Sequence, residues 1–258
     1  MIFGYSVWTV LFICAGVFLA SLIDAIGGGG GLISLPVYLM AGLPTHLALG
    51  TNKLSACLGT FASTGRYIKN GFVDWGLAIP SVVLAMLGSH IGTRLQLAVD
   101  ETVLRYVLIA VLIAVAAVMI KKKSFPEAAG ELAPWKRRTI VWLSAFVIGT
   151  YDGFYGPGTG TFLLLSFCFL AKLDLRTTSG NVKIVNLSSN IGALVTSLSV
   201  GKVIVPIGLI AAAFAFCGHF LGAGLMMKKG TRIVTPVIIT VLSLLIIKTV
   251  LEIFGIGF

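Results

Sequence analysis

The sequence predicts an all-α, polytopic membrane protein of two inverted repeats, with about 8–10 helical membrane segments including short glycine-interrupted ones. Three observations lead there. Of 258 residues, 57% are hydrophobic and 11% charged, with a mean hydropathy of +1.03, too little polar cover for a soluble domain. Gly76 to Leu97, Val103 to Ile120, Val203 to Met227 and Ile233 to Leu251 reach the roughly 20 apolar residues that cross hydrocarbon. The third is internal repetition: Gly50-Thr51-Asn52-Lys53-Leu54 returns 130 positions later as Gly180-Asn181-Val182-Lys183-Ile184. At the same offset, Gly71 matches Gly201, and Gly88 with Gly92 matches Gly218 with Gly222; Asp24 and its glycine run match Asp152 and its own, two positions short of it.

Each half divides into five helical pieces. The first half gives 5–24, 28–41, 44–69, 76–97 and 102–120; the second gives 138–152, 157–171, 175–199, 203–227 and 231–251. The organisation is therefore a first repeat over 1–120, a basic linker over 121–138 and a second repeat over 139–258. Met1 to Val10 hold no lysine or arginine, so the first piece lacks the charged start of a cleavable signal and reads as a membrane segment. The first two pieces of each half are short and glycine-interrupted, which fits half-helices or a re-entrant pair as well as full spans. The third piece carries the lysine, and the fourth a small-residue motif suited to close helix crossing.

The formal net charge is +10, but the basic residues cluster at segment ends, so bilayer orientation accounts for them better than nucleic acid does. Lys121, Lys122, Lys123, Lys136, Arg137 and Arg138 mark the linker as cytoplasmic. If the first two pieces return the chain to its starting side, Arg66, Lys69, Lys172, Arg176, Lys228, Lys229 and Arg232 join that face. Arg94, Arg105 and Lys202 oppose it. That arrangement puts both termini outside and gives the halves opposite orientation.

Lys53 lies about nine residues, or roughly 13 Å, into its helix, near mid-bilayer, and Lys183 matches it. A lysine there costs on the order of 2.5–3.5 kcal/mol. It either binds an anion or pairs with an acid to hold helices together, and Asp24 and Asp152 are the acids at hand. Glycine runs at Gly27 to Gly31 and Gly156-Pro157-Gly158-Thr159-Gly160 let backbone N–H groups approach a ligand at a helix start. The expected substrate-binding set is Lys53, Lys183, Asn52, Asn181, Asn186, Gly28, Gly29, Gly30, Gly158, Thr159 and Gly160. Asp24, Asp152, His90 and His219 are candidates for coupling, although a lone intramembrane histidine more often simply bonds a neighbouring helix. The second glycine run lacks the Lys-Ser/Thr of a P-loop, and no HExxH or nucleophile triad occurs, so no enzyme is expected. Cys14, Cys57, Cys168 and Cys217 form no CxxC or His/Cys cluster, which implies no metal or cofactor.

The chain resembles the sulfite exporter TauE/SafE family of bacterial inner-membrane anion transporters. Asp24-Ala25-Ile26 with Gly27 to Gly31, Leu35-Pro36, and Ala48-Leu49-Gly50-Thr51-Asn52-Lys53 carry the likeness. Gly71, Val73-Asp74-Trp75, Gly88 to Gly92, the second glycine run and Gly180-Asn181-Val182-Lys183 extend it over essentially the whole chain. The resemblance implies secondary export of sulfite or a small organosulfonate such as sulfoacetate. Asn52 and Asn181 stand one position out of register, so their duties need not be symmetric. The expectation is an alternating-access exporter of a small oxyanion in the inner membrane, partnered by lipid and substrate and not by nucleic acid, with a homodimer one admissible assembly. A passive anion channel and a non-transporting assembly partner are the rival readings.

Overall fold

The structure, a computed structural model, describes residues 4–100 and 129–230 and parts of 232–243. The expected piece at 102–120, Arg105, Lys121 to Lys123 and most of 231–251 lie outside the described residues. Eight helices follow in order: α1 (Val7–Gly27), α2 (Gly31–Met40), α3 (Thr45–Lys69), α4 (Trp75–Ala98), α5 (Pro134–Phe154), α6 (Thr159–Leu165), α7 (Leu175–Ser199) and α8 (Val205–Lys229). A π turn at Ser166–Leu170 prolongs α6. Among the described residues there is no strand.

Two starts differ from expectation by more than two residues, each for a local reason. The piece expected from residue 28 begins at Gly31, because Gly28 and Gly29 take φ of 78° and 85°, which interrupts the helix. The piece expected from 138 begins at Pro134, a residue well suited to the first helical position, so the helix reaches into the stretch assigned to the linker.

The molecule is apolar outside and carries a set of polar and charged groups inside, among buried apolar clusters. Ile79, Val83, Leu87, Ile91 and Leu95 form an exposed stripe along α4, at the four-residue spacing of one helix face. Thr51, Lys53, Asp152, Asn181, Lys183 and Asn190 are buried. α1, α4 and α8 are long and apolar enough to cross a membrane. α3 and α7, with 25 residues each, are about 37 Å long, but their inward faces are polar. At 10 residues, α2 is too short to cross alone.

The halves interlock by exchanging equivalent contacts. α1 packs on α8 while α5 packs on α4; α3 meets α8 while α7 meets α4; and α3 and α7 touch each other. The exchange holds residue by residue. Gly50 near the start of α3 lies against Lys202 just beyond α7, and Gly180 near the start of α7 lies against Phe72 just beyond α3. α3 and α7 therefore run in opposite directions. Gly88 packs on Phe146 and Thr150 of α5, and Gly218 on Phe18 and Leu22 of α1.

These approaches leave no room for a side chain. A Cβ on Gly92 would stand 2.8 Å from the backbone nitrogen of Phe154. Gly92→Leu is expected to destabilise the protein by about 1–3 kcal/mol or more through overpacking, seen as a lower thermal midpoint in detergent. Gly65 has open space where its Cβ would be. Gly65→Ala is expected to leave that midpoint unchanged or raised, since alanine is the better helix former.

Candidate functional site

Two crossed ion pairs mark the centre of the molecule. Lys53 Nζ of α3 lies 2.8 Å from Asp152 Oδ2 of α5, and Lys183 Nζ of α7 lies 2.8 Å from Asp24 Oδ2 of α1. Each lysine thus takes its acid from the other half. Lys53 and Lys183 are 6% and 3% exposed, so neither ammonium reaches outside water, and a buried cation needs such a partner.

The two pairs are held differently. Asp152 Oδ2 also accepts from Ser189 Oγ at 2.7 Å, and Lys53 Nζ also donates to Asn190 Oδ1 at 3.3 Å. Asp24 accepts from Gly30 N at 3.0 Å, and Lys183 Nζ also donates to the Asp24 carbonyl oxygen. His219 Nε2 stands 3.8 Å from Asp24 Oδ2, while its Nδ1 lies 3.1 Å from Ser63 Oγ.

The glycine breaks meet here. A Cβ on Gly160 would stand 2.9 Å from the Gly28 Cα, and Thr161 Oγ1 donates to the Gly27 carbonyl at 2.9 Å. Gly156, at φ 98°, lies close to Lys53 Nζ and Asp152. Glycine is required at that position both by its backbone angle and by its neighbours.

Between these groups lies a cavity with about 50 Å³ open to the centres of water-sized molecules. A water needs roughly 10–15 Å³ on that measure, so the space holds a few waters or one ion of similar bulk. Its wall includes Lys53, Asn52, Asn186, Gly30, Gly158, Thr159 and Gly160 from the expected binding set. Asp24, Asp152 and His219 from the coupling candidates also line it.

Five expected residues are not in that wall. Lys183 sits behind Asp24, which faces the cavity in its place. Asn181 donates to the Thr177 carbonyl one turn back along α7 at 2.9 Å; it occupies the register position of Thr51, which accepts from Ile204 N at the rim of the fold. Gly28 and Gly29 form the break itself. His90 is exposed on α4 and bonded to Thr196 Oγ1 at 2.8 Å. His219 is equivalent to Ser89, not to His90, and one position turns a helix by about 100°, so the histidines lie on different faces of their helices. Reading by residue type missed Thr60, which lines the cavity, and Ser63 behind His219. A register comparison would have flagged the first: Thr60 stands 130 positions before Asn190.

A lipid-facing helical fold closed around an ion-paired internal cavity is the construction of a multi-pass membrane transporter, and the relatives of this chain are of that class. The chain belongs to the sulfite exporter TauE/SafE family, whose model matches residues 13–249. It is 34% identical over 248 residues to a probable membrane transporter protein, ORF9, of a Sinorhizobium species, covering 95% of this chain and 93% of that one. A probable membrane transporter protein of Haemophilus influenzae is 31% identical over 252 residues, 96% of each chain. The probable membrane transporter protein YfcA of Escherichia coli is 31% identical over 246 residues, covering 95% of this chain and 90% of that protein. No solved structure matches the chain.

Proposed function

We propose that the protein is a secondary transporter that exports one small oxyanion, sulfite or a compact sulfonate, by alternating access across the bacterial inner membrane. The observation that carries this reading is the pair of crossed lysine–aspartate bridges around one small polar cavity, at the point where both glycine breaks meet. Two lysines and two aspartates sum to no net charge, so the site does not hold an anion by excess positive charge. Binding is an exchange: an oxyanion takes the N–H groups of Lys53 that Asp152 holds. Lys53 is the cation for this step because it lines the cavity, whereas Lys183 does not. The backbone at Gly30 and at Gly158 to Gly160 lies at the positive ends of α2 and α6, which favour negative charge, and Asn52 and Asn186 add neutral donors.

The halves act as an inverted repeat in this reading. Support comes from the opposite directions of α3 and α7 and from the exchanged contacts. Rocking of one half against the other would open the cavity to each side in turn, with the glycine breaks as hinges. In this reading both termini lie outside, on the periplasmic side. Arg176 donates to the Asn70 carbonyl at 3.2 Å, and Arg137 to the carbonyls of Gly130 and Ala171 at 2.8 and 3.1 Å. The turn after α3, the linker end and the turn before α7 thus share one basic face, which the positive-inside bias makes cytoplasmic.

The test is uptake by proteoliposomes of sulfite, sulfate, sulfoacetate, thiosulfate and small carboxylates under an imposed proton gradient. The expected result is saturable flux of one or more of the small sulfur oxyanions, with counterflow of labelled substrate. Flux without saturation or counterflow would make the protein a channel, and no flux of any anion would leave it an assembly partner.

A further inference from the structure

We infer that Thr60 is a substrate-binding residue that helps set specificity, its hydroxyl taking up an oxygen of the bound oxyanion; this rests on the carrier reading above. The argument begins with the two helices that face each other across the cavity. At an offset of 130, Ala56 and Thr60 of α3 stand where α7 has Asn186 and Asn190, and all four line the cavity.

On the α7 wall, the residue equivalent to Thr60 is already satisfied. Asn190 accepts from Lys53 Nζ through Oδ1 at 3.3 Å and donates through Nδ2 to Asn186 Oδ1 at 3.3 Å. The α3 wall is not. Ala56 offers only a methyl group, and Thr60, 1% exposed, has a buried Oγ1 with no hydrogen-bond partner in the protein.

Thr60 differs in this from every other buried hydroxyl of α3. Thr51 accepts from Ile204 N, Ser55 donates to the Asn52 carbonyl, Ser63 to the Thr60 carbonyl and Thr64 to the Lys183 carbonyl. A helical threonine commonly bonds the carbonyl one turn back, as Thr150 and Thr196 do here. Thr60 forgoes that bond beside a polar cavity. Leaving a buried hydroxyl unpaired is unfavourable, and a ligand oxygen in the cavity supplies the partner. Because the equivalent place on α7 is filled by a self-satisfied amide, the bound ion leans toward α3, where Lys53 and Thr60 are the donors.

Wild type, Thr60→Val and Thr60→Ser are compared in two assays, with sulfite and sulfoacetate as probes: uptake by proteoliposomes, and the rise in thermal midpoint that each probe produces in detergent. Thr60→Val is expected to raise the KM of the transported probe about tenfold, the scale of a lost hydrogen bond to a charged group. Vmax should stay close to wild type, the probe-induced thermal rise should shrink, and the ligand-free midpoint should be equal or higher. Thr60→Ser should restore KM. An unchanged KM and thermal rise in Thr60→Val, or failure of serine to restore them, overturns the assignment. If a probe raises the wild-type midpoint without crossing, the carrier reading falls and the thermal rise alone decides the role of Thr60. If neither probe binds nor crosses, both fall together.

Discussion

Lys53→Met combined with Asp152→Asn is expected to lower oxyanion uptake by about a hundredfold, the loss of a charge-assisted bond in a buried site, while the protein still folds. The double change is the informative one. Lys53→Met alone would strand the Asp152 carboxylate, 2% exposed, with Ser189 Oγ as its remaining side-chain partner. A buried charge left that way costs about 3–5 kcal/mol, so loss of flux would be confounded with loss of fold. With Asn at 152 the Ser189 hydroxyl keeps an acceptor, and no buried charge remains at the pair. Initial uptake rates, read beside the thermal midpoint and the elution profile in detergent, separate the effects. Near wild-type uptake by a folded double variant would remove Lys53 from the site.

The broad architecture was legible because the bilayer imposes it. Apolar length located α1, α4 and α8, and the repeated Lys53 and Lys183 located α3 and α7, whose inward faces are polar. The boundaries Leu175–Ser199 follow from the Asp174 cap, whose Oδ1 accepts from Thr177 N at 2.9 Å, and from the turn at Gly201, where φ is 67°.

What sequence could not supply was partnership. Asp24 and Lys53 lie in one half and Asp152 and Lys183 in the other, so proximity along the chain suggests pairs within halves. Interlocking reverses this, because the acid ends of α1 and α5 are carried against the opposite half of the chain. The same blindness hid that Lys53 lines the cavity and Lys183 does not, which depends on whether the acid stands beside the ammonium or in front of it. Small register slips mattered as much. Asn52 reaches the cavity and Asn181 does not, and His219 faces Asp24 while His90 faces outward, although the motifs look alike on paper. Thr60 was illegible for another reason: a threonine on a helix is ordinary, and only the bonding of its neighbours makes its unpaired hydroxyl informative.

Lys183→Met addresses the second bridge, and its expected effect falls on folding more than on substrate. Lys183 holds Asp24 through the carboxylate at 2.8 Å and through the backbone carbonyl, at the residue whose carbonyl also receives Gly28 N at the end of α1. Removing the ammonium would leave Asp24 with Gly30 N at 3.0 Å and His219 at 3.8 Å. The expected cost is about 3–5 kcal/mol, as for a buried pair broken on one side, measured by urea unfolding in detergent. Lys183→Met with Asp24→Asn should recover most of that loss, since an amide oxygen still accepts from Gly30 without an unbalanced charge. The sulfite-induced thermal rise should survive in the double variant, because Lys183 does not line the cavity. A folded Lys183→Met protein of wild-type stability that had lost the sulfite response would reverse the assignment. It would make the two bridges alternative halves of one binding site instead of a substrate cation and a structural strut.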